Sequence, residues 1–146
     1  MVVRGGVQAE LLPHLRRARD LADRNYAEPL DLTAMAAAAG LSKYHFLRCF
    51  AAEYGETPMQ YLSRRRIERA TDLLRATNLT VTEVCNLVGF TSLGTFSRRF
   101  TERVGMSPSQ YQRTQVGPRI PGCFVFMLGL REPGAIPEKQ PERPTP

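Results

Sequence analysis

Arg48 and Arg98 occupy matching places in two copies of one sequence pattern. A guanidinium is a planar fork of donors that can bond bidentately to guanine O6 and N7, a contact worth about 1–3 kcal/mol of base discrimination. An α-helix fits the major groove of DNA and can present only its exposed stripe to the base edges. Around Arg48 that stripe holds Lys43, Tyr44 and Leu47; around Arg98 it holds Leu93, Gly94 and Ser97. Tyr44 and Leu47 offer an aromatic face and an apolar tip suited to a thymine methyl, while Lys43, near the helix start, suits a phosphate. Gly94 removes a side chain where Tyr44 stands in the first copy. Base reading by the second copy is therefore expected to be poorer, and closer backbone approach easier.

Phosphate contacts are expected at capped helix starts, where free backbone N–H groups point outward: Ser42 with His45, and Ser92 with Thr95. Arg64, Arg66, Arg99 and Arg103 are the further cations expected at phosphates. Glu68 and Asp72 lie within helical reach of the Arg64-Arg65-Arg66 run, so a salt-bridged face competes with phosphate contact there. No set of His, Cys and carboxylate has catalytic or metal-ligand spacing, and no glycine-rich phosphate loop occurs. The chain is thus read as non-enzymatic, with no cofactor, no metal site and no catalytic residue. Cys49, Cys85 and Cys123 are odd in number and lack close pairs, which fits a reducing compartment. Cys49 and Cys85 are expected as buried thiols acting as small hydrophobes.

These side chains must be positioned by a repeated unit. Residues 32–61 recur at 81–111: Gly40, Phe46, Arg48, Phe50, Gly55, Pro58 and Tyr61 find their counterparts in Gly89, Phe96, Arg98, Phe100, Gly105, Pro108 and Tyr111. The offset is 49 at the glycine and 50 from the phenylalanine onward, which places one inserted residue in the turn. A repeat with a fixed turn and an outward arginine implies a chain built to touch a periodic partner twice, and duplex DNA is such a partner.

The elements follow from periodicity and caps. Leu11, Leu15, Ala18, Leu21 and Ala22 recur at helical spacing and predict a first helix with Pro13 in its first turn, ending near Asn25 or Tyr26. Asp31 can cap a second helix that ends at Gly40, and the small run Ala36 to Ala39 lets a crossing helix approach closely. Ser42 caps a third helix whose inner face is Phe46, Cys49 and Phe50, leaving residues 44, 47, 48 and 51 outward. Thr57-Pro58 opens a long connector helix that runs to about Ala76 through Tyr61, Leu62, Ile67, Ala70, Leu73 and Leu74. Thr80 to Glu83 fits a capping box and starts a fifth helix ending at Gly89. Thr91 or Ser92 caps the sixth, and Ser107-Pro108 opens a closing helix. The expected organisation is a tail over 1–10, a domain over 11–114 and a proline-rich, largely disordered tail over 115–146. Within the domain the units are a first helix-turn-helix near 31–54, the connector near 58–76 and a second helix-turn-helix near 80–104.

At 146 residues the chain suits one compact domain with tails, and its formal charge of +6 favours a polyanionic partner. Met1 to Gly6 is not followed by the apolar core of a signal peptide. The longest apolar run, Cys123 to Leu130, is too short to span a bilayer. A soluble, cytoplasmic protein without membrane contact is the expectation, with the apolar run folding back on the domain or remaining exposed.

The stretch from Gly40 to Gln112 resembles the DNA-binding domain of the AraC/XylS family of bacterial transcription regulators. The resemblance rests on the GETPMQYL element at Gly55, Arg65 in the connector, the A-x-x-LL run at Ala70 to Leu74, the Gly89-Phe90 pair, and the FSRRFTERVGMSPSQY ending. It covers about Leu11 to Arg113 and implies an all-α domain of seven helices in two helix-turn-helix subdomains. It further implies asymmetric promoter sites, bent DNA in some members, and contact with RNA polymerase in activators. Tyr44, Leu47, Arg48, Ser97 and Arg98 fall on base-facing positions of the family, and Arg65 on one that holds helices together. Leu93 and Gly94 sit where the family more often carries polar side chains. The chain resembles the short, stand-alone members, regulated by abundance, unless it is a fragment of a longer regulator, and it is expected to act as a monomer on double-stranded DNA. The competing expectation is an interaction module that docks on RNA polymerase or another regulator without reading a promoter.

Overall fold

Six of the helices begin at a short polar side chain that accepts a hydrogen bond from the backbone N–H three residues on. Asp31, Ser42, Thr57, Thr80, Ser92 and Ser107 receive the amides of Ala34, His45, Gln60, Glu83, Thr95 and Gln110. At Thr57, Thr80 and Ser107 the bond is reciprocated by Gln60, Glu83 and Gln110, completing capping boxes. Each such cap contributes about 1 kcal/mol by satisfying a backbone donor that the helix cannot. In this computed structural model, which describes residues 9–115 and 121, the result is seven α-helices and no β-strand among the described residues. They are α1 (Leu12–Arg24), α2 (Leu32–Ala39), α3 (Lys43–Tyr54), α4 (Pro58–Ala76), α5 (Val81–Leu87), α6 (Leu93–Val104) and α7 (Pro108–Thr114). A 3₁₀ turn, Ala9–Leu11, precedes α1, which has Pro13 in its first turn and no side-chain cap.

The long helix α4 packs against all six of the others, so the two halves of the chain share one core. Leu62, Ile67, Ala70 and Leu74 supply its buried side. Each half adds the same aromatic set. Phe46 and Phe50 of α3 are fully buried, and Phe50 meets Tyr61 edge-on at 5.7 Å; Phe96 and Phe100 of α6 are fully buried, and Phe100 meets Tyr111 at 5.6 Å. Alanines close the α1–α2 crossing: Ala18, Ala22, Ala36 and Ala39 are all buried, as the small-residue run required.

Both helix-turn-helix turns use the same hydrogen bonds. Leu41 N–H donates to Ala36 O and Phe90 N–H to Cys85 O, each at 3.1 Å, while Gly40 and Gly89 take positive φ values of 69° and 96°. The fifth helix closes one residue earlier than expected: Leu87 is its last residue, Val88 is the cap, and Gly89 follows outside it. The inserted residue is Thr91, lying between Phe90 and the cap Ser92. Cys85 is buried, and burial pushes its thiol up from the usual range, whereas Cys49 is only half-buried. The expected tails, including the Cys123 to Leu130 run, lie outside the described residues apart from Ala9, Glu10, Gln115 and Pro121. Among the described residues no helix is long and apolar enough to cross a membrane.

Candidate nucleic-acid interface

The burial pattern of α3 follows from its phenylalanines. With Phe46 and Phe50 locked inward, Lys43, Tyr44, His45 and Arg48 are exposed and Leu47 is half-buried. Tyr44 is 69% exposed, an uncommon placement for an aromatic ring, and the Arg48 guanidinium lies 5.5 Å from its centroid. A ring one helical turn away therefore holds the guanidinium by cation–π attraction at the protein surface. Ser42 caps the helix, and its hydroxyl accepts from His45 N–H at 3.2 Å.

The second unit repeats the frame and changes the contents. Ser92 accepts from Thr95 N–H at 3.2 Å, Leu93, Gly94 and Arg98 are exposed, and Thr95 and Ser97 are half-buried. Leu93 is 46% exposed. No aromatic ring accompanies Arg98 among the described residues, because Gly94 stands at the Tyr44 position. Neither Arg48 nor Arg98 makes an ion pair among the described residues, so both guanidinium groups keep their donors for a partner.

Two of the cations expected at phosphates are engaged inside the fold. Arg64 donates to Glu56 at 2.8 Å and to Glu68 at 2.7 Å; the Glu56 bond foremost, then that to Glu68, raises its pKa. Arg66 is partly buried and donates through Nε to the Tyr26 carbonyl at 2.6 Å and through its terminal nitrogen to the Glu28 carbonyl at 2.8 Å. Burial lowers its pKa. An arginine that satisfies the carbonyls of a neighbouring loop would leave them unpaired if it swung out to a phosphate, so the fold, not the duplex, claims it. Arg65 binds Asp23 at 3.0 Å and Glu68 at 2.6 Å, tying α4 to α1 in the holding role that the resemblance implied. Tyr61 joins that network by donating to Asp23 at 2.7 Å; burial, then the Asp23 carboxylate, pushes its hydroxyl well above the usual phenol range.

Arg99 and Arg103 are exposed and are brought together on an open cleft of about 810 Å³ between the start of α4 and the end of α6. Glu56, Met59, Arg64 and Glu102 line the same cleft. Arg99 lies 3.6 Å from Glu102, a loose exposed pair worth little, and Arg103 makes no ion pair among the described residues. Met59, 40% exposed on this cleft, was not singled out by sequence, because the start of a capped helix gives no sign of which face it turns to solvent. Among the described residues no group of three His, Cys, Asp or Glu side chains could hold a metal ion.

Residues 35–114 match a helix-turn-helix domain family. The chain belongs to the AraC/XylS family, as an AraC-type DNA-binding domain. It is 39% identical over 89 residues to the MmsAB operon regulatory protein of Pseudomonas aeruginosa, covering 60% of this chain and 29% of that regulator. The chain thus spans less than a third of that relative's length. Its fold is similar to the DNA-binding domain of AdpA, a global transcriptional factor solved in complex with a target DNA. The TM-score is 0.65 at 28% identity, over 70% of this chain and 91% of that one. A probable AraC family transcriptional regulator from Rhodopseudomonas palustris matches with a TM-score of 0.65 at 29% identity, over 71% of this chain and 99% of that one. The all-α fold with two helix-turn-helix units is that of the family.

Proposed function

We propose that this chain is a sequence-specific DNA-binding transcription regulator that sets α3 and α6 into adjacent major grooves of an asymmetric promoter site. The observation that carries the reading is the repeated, exposed guanidinium of Arg48 and Arg98, in no ion pair among the described residues, on two helices of the same frame. Tyr44, Leu47 and Arg48 read bases in one half-site; Leu93, Gly94, Ser97 and Arg98 meet those of the other. Lys43, Arg99, Arg103 and the capped starts at Ser42–His45 and Ser92–Thr95 hold the phosphates. Arg64 and Arg66 leave that set because their partners are intramolecular. The protein binds as a monomer to roughly 20 bp without two-fold symmetry, two half-sites a helical turn apart. In an activator of this kind RNA polymerase is the further partner.

Salt dependence tests this directly. Three phosphate-bound cations give a slope of log K against log salt of about −2.7, so affinity falls about fortyfold between 50 and 200 mM salt. A sequence-specific remainder should persist at the higher concentration. Flat, sequence-blind binding would instead favour a module that docks on polymerase or another regulator.

A further inference from the structure

The two halves touch at a point that the repeat does not require. In the first unit the turn glycine Gly40 has room: an added Cβ would come no nearer than 3.9 Å to any atom, at His14 Nδ1. In the second unit the equivalent Gly89 has none. A Cβ there would lie 2.8 Å from the Tyr26 carbonyl oxygen and 3.0 Å from the Ala27 backbone. The loop that leaves α1 in the first half is therefore wedged, backbone against backbone, on the turn of the second half.

Arg66 closes that junction from the middle of the connector. Its two donors take the Tyr26 and Glu28 carbonyls of the loop, and its guanidinium lies 5.8 Å from the centroid of Phe90, the residue after Gly89. Tyr26 is itself buried. One side chain thus touches the loop between α1 and α2 in the first half and the turn of the second helix-turn-helix, with carbonyl dipoles rather than a carboxylate as its partners. A rod such as α4 fixes a distance along its axis, but it does not by itself fix the rotation of a three-helix unit packed on each end.

We infer that the Arg66, Tyr26–Glu28 and Gly89–Phe90 junction clamps the rotation between the two helix-turn-helix units and so selects the spacing between the two half-sites on DNA. Arg66 acts here as a positioning residue and touches no base. The spacing part rests on the proposed two-groove reading; the clamp itself does not. Each base pair inserted between half-sites turns the second by about 34–36° and moves it about 3.4 Å, so a clamped pair of helices must be sensitive to a single insertion.

Two measurements on the full chain separate these parts. Residual dipolar couplings on DNA-free protein should fit one alignment tensor for both halves in the parent chain. In Arg66→Met, which keeps the apolar stem and removes both hydrogen bonds, each half should still fit well but to a different tensor. Gly89→Ala should give the same divergence from the opposite side of the junction. Arg66→Lys, which keeps the charge but not the fork, serves if Arg66→Met does not fold. On duplexes carrying both half-sites, adding or removing one base pair should cost the parent chain roughly ten- to a hundredfold, since linkage raises affinity only while both units engage. In Arg66→Met that dependence should shrink to within about threefold, while the base preference of each half-site is unchanged. A single tensor in the folded Arg66 and Gly89 variants overturns the clamp. Divergent tensors with no spacing preference in the parent chain leave the clamp standing and refute the two-groove reading.

Discussion

The cation–π pair on α3 makes the two half-sites unequal in a way that can be measured. In the first unit Arg48 rests 5.5 Å from the Tyr44 ring, whereas in the second Arg98 faces solvent with Gly94 at the ring position. An exposed cation–π contact is worth about 0.5–1 kcal/mol. A long side chain that must be ordered on binding loses up to about 2 kcal/mol of rotamer freedom. Arg48 enters the groove with part of that ordering done; Arg98 does not. Both Arg48→Ala and Arg98→Ala should cost about 1–3 kcal/mol and relax the base preference in one half-site only, with Arg48→Ala the costlier. Because Tyr44 can also touch a base, its stacking role is isolated by a double-mutant cycle of Tyr44→Leu and Arg48→Ala. Fluorescence anisotropy titration on the preferred duplex at one salt concentration should give a coupling of about 0.5–1 kcal/mol, a two- to fivefold change in Kd. Tyr44→Phe, which keeps the ring, should retain most of it. Additive single effects, or an Arg98→Ala loss exceeding that of Arg48→Ala, would refute the reasoning.

Three further outcomes follow from the packing and the charges. Phe50→Ala should destabilise the fold by about 3–5 kcal/mol in urea unfolding, and by more than Phe100→Ala, since among the described residues Phe50 meets the rings of Phe46, Tyr54 and Tyr61 and Phe100 those of Phe96 and Tyr111. Partial burial works against ionisation of Glu68, but hydrogen bonds from Arg64 and Arg65 prevail and hold its carboxyl below the usual carboxylate range. The stability it adds is therefore present above its unfolded value of roughly 4.3 and disappears as pH falls through its lower folded value. Glu68→Gln should lower the melting temperature at pH 7, flatten the acid side of the stability profile, and converge with the parent chain in acid. Gly94 has ordinary backbone geometry, and a Cβ there would meet only Ser92 Oγ, at 3.8 Å. Gly94→Ala should thus raise the melting temperature by relieving a helix-propensity cost of up to about 1 kcal/mol, as thermal unfolding would show.

Local chemistry made most of the helices readable. A capping side chain followed by glutamine or glutamate three places on identifies α4, α5 and α7, and the paired phenylalanines fix which side of α3 and α6 turns inward, hence the exposure of Arg48 and Arg98. Long-range partners were not readable. A run such as Arg64-Arg65-Arg66 shows three cations on a helix, but not that one carbonyl pair at Tyr26 and Glu28, in a loop far away in sequence, would capture Arg66. Gly89 reads from sequence as a turn residue like Gly40; only the fold reveals that it is also a point of contact between the halves. The end of α5 comes earlier because Val88 makes the last helical bond, to Val84, and the Gly89 N–H turns to Asn86 O three residues back; the positive φ falls on Gly89, so the cap and the glycine are different residues there.

The central claim is that one chain reads two different half-sites with two copies of one element. Selection of bound duplexes from a random library at physiological salt tests it most directly. The account predicts two enriched blocks about 10–10.5 bp apart, centre to centre, without two-fold symmetry, the block read by α3 richer in information than that read by α6. A single palindromic motif, or no enrichment over the starting library, would contradict it.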